Sequence, residues 1–106
     1  MQTGTCLRMY LSESDTIDSM PVLEAILGLC QNNGLQGVSV FRAIEGLGKH
    51  GIHSSSFLSL SSNLPLVVEV LDTEERIQQA LPLIQEKLPS ALIASWPINL
   101  VQTVSE

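Results

Sequence analysis

The sequence predicts an α+β fold, with two helices on one face of a four-stranded antiparallel sheet, in the chain order β-α-β-β-α-β. Three observations lead there. Apolar residues recur at helical spacing in two segments, Val22 to Cys30 and Ile77 to Leu88. The segments between and around them alternate apolar and polar residues or run as dense β-branched stretches, as strands do. Finally, 106 residues are enough for one domain with a modest core.

The first strand is "TCLRMYL", Thr5 to Leu11, in which Leu7, Met9 and Leu11 face the core and Cys6, Arg8 and Tyr10 face away. A polar loop, "SESDTIDS", follows. Asp18 or Ser19 is expected to cap the first helix, with Pro21 in its first turn, where a missing N–H costs nothing. Val22, Leu23, Ile26, Leu27 and Cys30 form its apolar stripe, and Gly34 in "NNG" is expected to stop it in a left-handed conformation. Gly28 within the helix implies close packing against a neighbour.

"VSVFRAI", Val38 to Ile44, is the second strand, and "SFLSLSS" resumes alternation at Phe57, Leu58 and Leu60. The run "LVVEVLD" has the β-branched density of a central strand. Asp72 and Glu75 read as a D-x-x-E cap for the second helix, with Glu74 where the helix dipole favours negative charge. Ile77, Ala80, Leu81, Ile84 and Leu88 form the buried stripe of that helix, and Pro82 should bend or interrupt it. "ALIASWPINLVQTV" is the last strand, at an edge or bulged because of Pro97. The whole is the ferredoxin-like split βαβ pattern, a single domain over residues 1–106.

Composition narrows the function. Charged residues make up 15% of the chain and hydrophobic residues 44%, against roughly a quarter charged in an average soluble protein. Part of the surface, including the sheet face without helices, is therefore expected to be buried against other copies of the chain. The net charge is -6, and the basic residues Arg8, Arg42, Lys49, Arg76 and Lys87 form no stripe. That pattern argues against nucleic acid as a partner, because phosphate neutralisation needs clustered cations. A small anion needs only two or three. "MQTGTC" has neither the basic nor the apolar region of a signal peptide, no apolar run is long enough for direct membrane insertion, and Cys6 and Cys30 read as reduced, buried thiols. These features predict a cytoplasmic protein.

The segment 44–56 carries the most chemistry: Glu45, Gly46, Gly48, Lys49, His50, Gly51 and His53, followed by three serines. A phosphate-binding P-loop would need glycine where Ala43 stands and Ser or Thr where His50 stands, so that reading fails. His50 and His53, with Glu45 nearby, suit zinc or copper by residue type, although a spacing of three in a loop does not fix geometry. Ser54, Ser55 and Ser56 beside His53 lack an orienting acid, so no catalytic triad is legible and no enzyme is expected. A tight hairpin needs two to five residues. About a dozen between strand segments marks a protruding functional loop.

"LRMYLSESD" and the long run "PVLEAILGLCQNNGLQGVSVFRAIEGLGKHGIHSSSFLSLSSNLPLVVEVLDTEERI" resemble the PII-like proteins of domain of unknown function 190, across about residues 5 to 104. "RAIEGLG", the following "IH" and "LPLVVEVLDTEE" carry the likeness most specifically. The resemblance implies a ferredoxin-like fold assembled as a homotrimer, with a T-loop over 44–56. More distantly, the segment is similar to the T-loop of the nitrogen regulatory PII signalling proteins, with Gly46, Leu47, Gly48, Lys49 and His53 in matching places. His50 replaces a glutamine that helps hold magnesium and effector there, Gly51 replaces a lysine, and "SSSF" has no counterpart of the modified tyrosine. The PII segment that cradles ATP phosphates is rich in glycine and basic residues, whereas "KLPSALI" here has Lys87 alone.

The resemblance thus implies a regulatory protein that binds a small effector at inter-subunit clefts. A mono- or dinucleotide (an adenine nucleotide among them), another small anion, or no nucleotide at all is expected ahead of ATP with 2-oxoglutarate. The loop would then control a membrane transporter or an enzyme. Arg42, Glu45, Gly46, Gly48, Lys49, His50 and His53 are the candidate ligand-binding residues, with Arg8 and Glu13 contributing to the cleft. The alternative is a metal-binding trimer of the copper-tolerance type, with His50 and His53 as ligands.

Overall fold

A computed structural model describes residues 1–48, 51–54 and 64–102. The elements are β1 (Gln2–Ser12), β2 (Thr16–Ile17), β3 (Met20–Pro21), α1 (Val22–Asn32), β4 (Gly37–Arg42), β5 (Glu45–Gly48), β6 (Gly51–Ser54), β7 (Pro65–Thr73), α2 (Glu74–Lys87) and β8 (Leu92–Leu100). The main sheet is antiparallel in the order β4-β7-β1-β8. With β2–β3 and β5–β6 as small separate hairpins, this is the ferredoxin-like α+β arrangement the sequence predicts.

Register decides which residues meet the helices. Leu7 lies opposite Val70, Met9 opposite Val68 and Leu11 opposite Leu66, so one face of the two central strands is continuous hydrocarbon. Ile26 and Cys30 of α1 and Ile77, Ala80 and Ile84 of α2 close over it, all essentially without solvent contact. Burying an aliphatic side chain of this size stabilises by about 1.5–3 kcal/mol, and β1 and β7 contribute most because they are paired on both sides. "LVVEVLD" is therefore the central strand expected of it, and β8 is an edge strand that accommodates Pro97. The register of β8 with β1 runs through Pro97, opposite Thr5, without a break.

The helix ends depart from the sequence reading in instructive ways. Asp18 and Ser19 do not cap α1. Both have positive φ, 51° and 67°, and form the two-residue turn of the β2–β3 hairpin. Pro21 takes the N-cap position without a side-chain cap, and the Val22 N–H donates instead to the Asp15 carbonyl at 2.9 Å. Leu27 is turned outward, 37% exposed, and Leu29 packs against the core in its place. Gly28 has no atom near the position its Cβ would occupy, so within the chain it makes no close approach. Gly34 does stop the helix with φ of 73°.

For α2 the cap is one residue later than expected. Thr73 accepts from the Arg76 N–H at 3.3 Å, while Glu74 and Glu75 both occupy the first turn. Pro82 does not interrupt α2, which runs on to Lys87 as one element. Pro82 and Gln78, whose carbonyl loses a partner to the proline ring, are both on the exposed side. Water can satisfy that carbonyl. Among the described residues no helix is long and apolar enough to cross a membrane. The expected strand at Phe57, Leu58 and Leu60 lies outside the described residues.

Candidate functional site

The root of the 44–56 segment is built by the ends of β1, β4 and β7. The Glu13 N–H donates to the Leu64 carbonyl at 3.1 Å, and the Ala43 N–H donates to the Pro65 carbonyl at 2.9 Å. Arg42 ends β4 on the helix side of the sheet, in register with Leu66. Its Nη2 reaches Glu13 Oε2 at 2.5 Å. The approach is short but poorly directed: Glu13 Oε2 is shut off from solvent yet accepts no well-aligned hydrogen bond among the described residues. The contact is therefore an ion pair rather than a bidentate hydrogen bond.

Beyond the root, β5 and β6 pair from Glu45–Ser54 to Gly48–Gly51, which sets Gly46 opposite His53. The segment expected to be a protruding loop is in part a two-stranded ribbon. Lys49, His50 and the side chains of Glu45 and His53 lie outside the described residues. Among the described residues no three His, Cys, Asp or Glu side chains come together to hold a metal ion.

Arg8 is placed apart from this root, on the opposite face of the sheet. There it meets Glu69 directly across the β1–β7 pair, with Nε donating to Oε2 at 2.9 Å. Its guanidinium also lies over Trp96, 5.2 Å from the ring centroid. Hydrogen bonds to Glu69 and Tyr10 push its pKa up from the ordinary value. Among the described residues this face carries no helix. Tyr10, Phe41, Leu71 and Trp96 stand on it with 39% to 53% of their surface exposed, around the Arg8–Glu69 pair. Cys6 lies on the same face, paired in register with Trp96, and is buried with a free thiol. Burial first, then the nearby Glu69 charge, push its pKa up despite Arg8.

Two further ion pairs were not legible in the sequence. Asp72, 5% exposed, accepts from the Gln36 N–H at 3.0 Å and the Thr73 N–H at 2.7 Å, and pairs with Arg76 at 3.3 Å. It ties the α1–β4 connection to the start of α2. A cavity of about 430 Å³ lies beside it, between α1 and the start of β4, with Arg76 at its rim. That cavity is at the other end of β4 from Arg42. Lys87 reaches Asp18 at 3.5 Å, so Arg42 and Lys87 both end on acids of the segment that follows β1. The spacing of four between Asp72 and Arg76 was the available signal for their pair. Nothing in the sequence pairs Lys87 with Asp18.

The family model described as DUF190, "Uncharacterized ACR", matches residues 4–100. The chain belongs to the DUF190 family. A UPF0166 protein of Aquifex aeolicus is 39% identical over 82 residues, covering 76% of this chain and 78% of that one. A UPF0166 protein of Methanocaldococcus jannaschii is 32% identical over 80 residues, covering 76% and 74%. Among solved structures the fold is similar to that of CPII, a nitrogen regulatory PII-like protein from Thiomonas intermedia K12, described bound to ADP, AMP and bicarbonate. The TM-score is 0.72 at 16% identity, over 94% of this chain and 90% of CPII. A Thermus thermophilus protein described as a PII-like signaling protein aligns with a TM-score of 0.55 at 21% identity, over 94% and 91%. The DUF190 chain thus has a PII-like fold.

Proposed function

We propose that the protein is a non-enzymatic, PII-like signalling protein of the cytoplasm. It acts as a homotrimer that binds an adenine nucleotide or a small anion in the clefts between copies. The 44–56 segment passes the ligand's presence to a membrane transporter or an enzyme. The observation that carries this reading is that CPII, with the same architecture over nearly the whole chain, is described in complex with ADP, AMP and bicarbonate. The open sheet face supports the assembly, because a cluster of large, partly exposed apolar side chains calls for cover. Arg42 and Lys87, tied to the same short segment, are the described cations best placed for an anionic group.

Thermal unfolding against ADP, AMP, ATP, bicarbonate, 2-oxoglutarate, zinc and copper tests the effector. A ligand at 100 times its Kd stabilises by about 2.7 kcal/mol, several degrees in a domain of this size. Stabilisation by ADP, AMP or bicarbonate, with three copies by sedimentation equilibrium, is the expected result. A monomer that responds to none of them refutes the reading. A response to zinc or copper alone, lost when His50 and His53 are both replaced by alanine, replaces it with a metal-binding trimer.

A further inference from the structure

Each described lysine and arginine side chain is already held by a carboxylate of its own chain: Arg8 by Glu69, Arg42 by Glu13, Arg76 by Asp72 and Lys87 by Asp18. Any anion recruited by one of these cations must share it with that acid or displace it. The four pairs differ in how they would yield. Asp72 is buried and also holds two backbone N–H groups, so Arg76 cannot leave without exposing an uncompensated charge. Arg8 belongs to the face that the trimer would cover. Asp18 is 84% exposed and holds Lys87 only at 3.5 Å, so little is exchanged there.

The Arg42–Glu13 pair is unlike the others. Among the described residues, Glu13 Oε2 is shut off from solvent without gaining a well-directed hydrogen bond, a state that costs free energy. The Arg42 side chain is 61% exposed, so part of its guanidinium faces solvent while Glu13 takes the rest. The same Glu13 donates its backbone N–H to Leu64, at the root of the 44–56 segment.

We propose that Glu13 is a built-in competitor for Arg42. An oxyanion, whether a phosphate or a carboxylate-like group, takes the guanidinium, the Glu13 side chain swings into water, and its backbone hold on Leu64 loosens with it. This rests on the effector reading above and supplies the step by which occupancy reaches the loop root. The competing pair makes the affinity for the oxyanion lower than Arg42 alone would give, and makes the response a switch between two partners.

The test is calorimetric titration of the full chain with ADP, inorganic phosphate and bicarbonate, in the native protein and in Glu13→Gln and Arg42→Ala. Glu13→Gln is expected to tighten binding by up to about fivefold, the range set by a partly exposed ion pair, and Arg42→Ala to weaken it about tenfold or more. Glu13→Ser should give the same ranking if the glutamine variant does not fold. Binding of ADP and phosphate would assign a phosphate source, and binding of bicarbonate alone a carboxylate-like one. In the native protein the Glu13 amide should exchange hydrogen faster with ligand bound. Affinity unchanged by Glu13→Gln overturns the competition and leaves the effector reading intact. If none of the three anions binds either the native protein or Glu13→Gln, both fall.

Discussion

Arg8 and Glu69 face each other across the two central strands, with Nη2 and Oε2 2.8 Å apart, in the middle of the sheet face that no described helix covers. In an isolated copy the Arg8 side chain is 40% exposed, and such a pair contributes about 1 kcal/mol at most. If copies pack through this face, the same pair becomes buried, and removing one partner should cost about 3–5 kcal/mol. Glu69→Ala is therefore expected to dissociate the assembly at concentrations where the native chain remains whole, as read by sedimentation velocity. An unchanged assembly would place the subunit contacts elsewhere.

Asp72 offers a test within one copy. Asp72→Ala leaves the Gln36 and Thr73 N–H groups without their acceptor and Arg76 without its partner. A loss of about 2–4 kcal/mol in urea unfolding is expected from groups left unpaired in a buried setting. A loss below about 0.5 kcal/mol, the range of ordinary surface substitutions, would mean that solvent readily replaces the carboxylate.

The β2–β3 turn should accept glycine gladly. Ser19 holds φ of 67°, a region disfavoured for side chains by roughly 1–2 kcal/mol. Ser19→Gly is expected to raise stability by about 0.5–1 kcal/mol after the entropy cost of the freer unfolded chain. Were Ser19 instead the cap of α1, the same change would leave stability flat or lower it slightly. Thermal unfolding separates the two.

Cys30 gives a pH signature. Burial pushes its thiol up from 9.0 to about 11, so the folded chain keeps a proton that the unfolded chain has lost in that window. The unfolded state then binds fewer protons, and stability falls as pH rises. Its contribution is whole below about pH 9 and declines by roughly 2–3 kcal/mol through pH 11. Cys30→Ala should flatten this part of the stability–pH curve, measured against the native chain in urea at each pH. Equal slopes for the two would show that Cys30 ionises freely in the folded state.

Much of the fold was legible because local pattern and burial agree. Leu7, Met9 and Leu11 repeat every two residues and face the helices, while Ile77, Ala80 and Ile84 recur at helical spacing as the stripe of α2, with Leu88 buried at its C-cap. The errors lie where one residue type serves two structures. Asp and Ser favour both helix caps and tight turns, so Asp18 and Ser19 were ambiguous until the hairpin claimed them. Asp72 and Thr73 are adjacent and both able to cap, and burial under the Gln36 N–H took Asp72 out of contention. The candidate site was legible as a composition, a glycine-rich segment with cations around it, but not as a set of contacts.

The two helices and the four main-sheet strands in their order, the buried stripe of α2, the central role of "LVVEVLD" and membership of a family were legible in the sequence alone. These follow from periodicity and residue type, which act over a few neighbouring positions. Only the tertiary structure decided that Arg8 meets Glu69, 61 residues away, that Arg42 meets Glu13, and that the two arginines stand on opposite faces of one sheet. Strand order and register set those encounters, and a shift of one residue would reverse every side chain's face. These two pairs are made by the backbone geometry that brings distant segments together, and no local pattern encodes that.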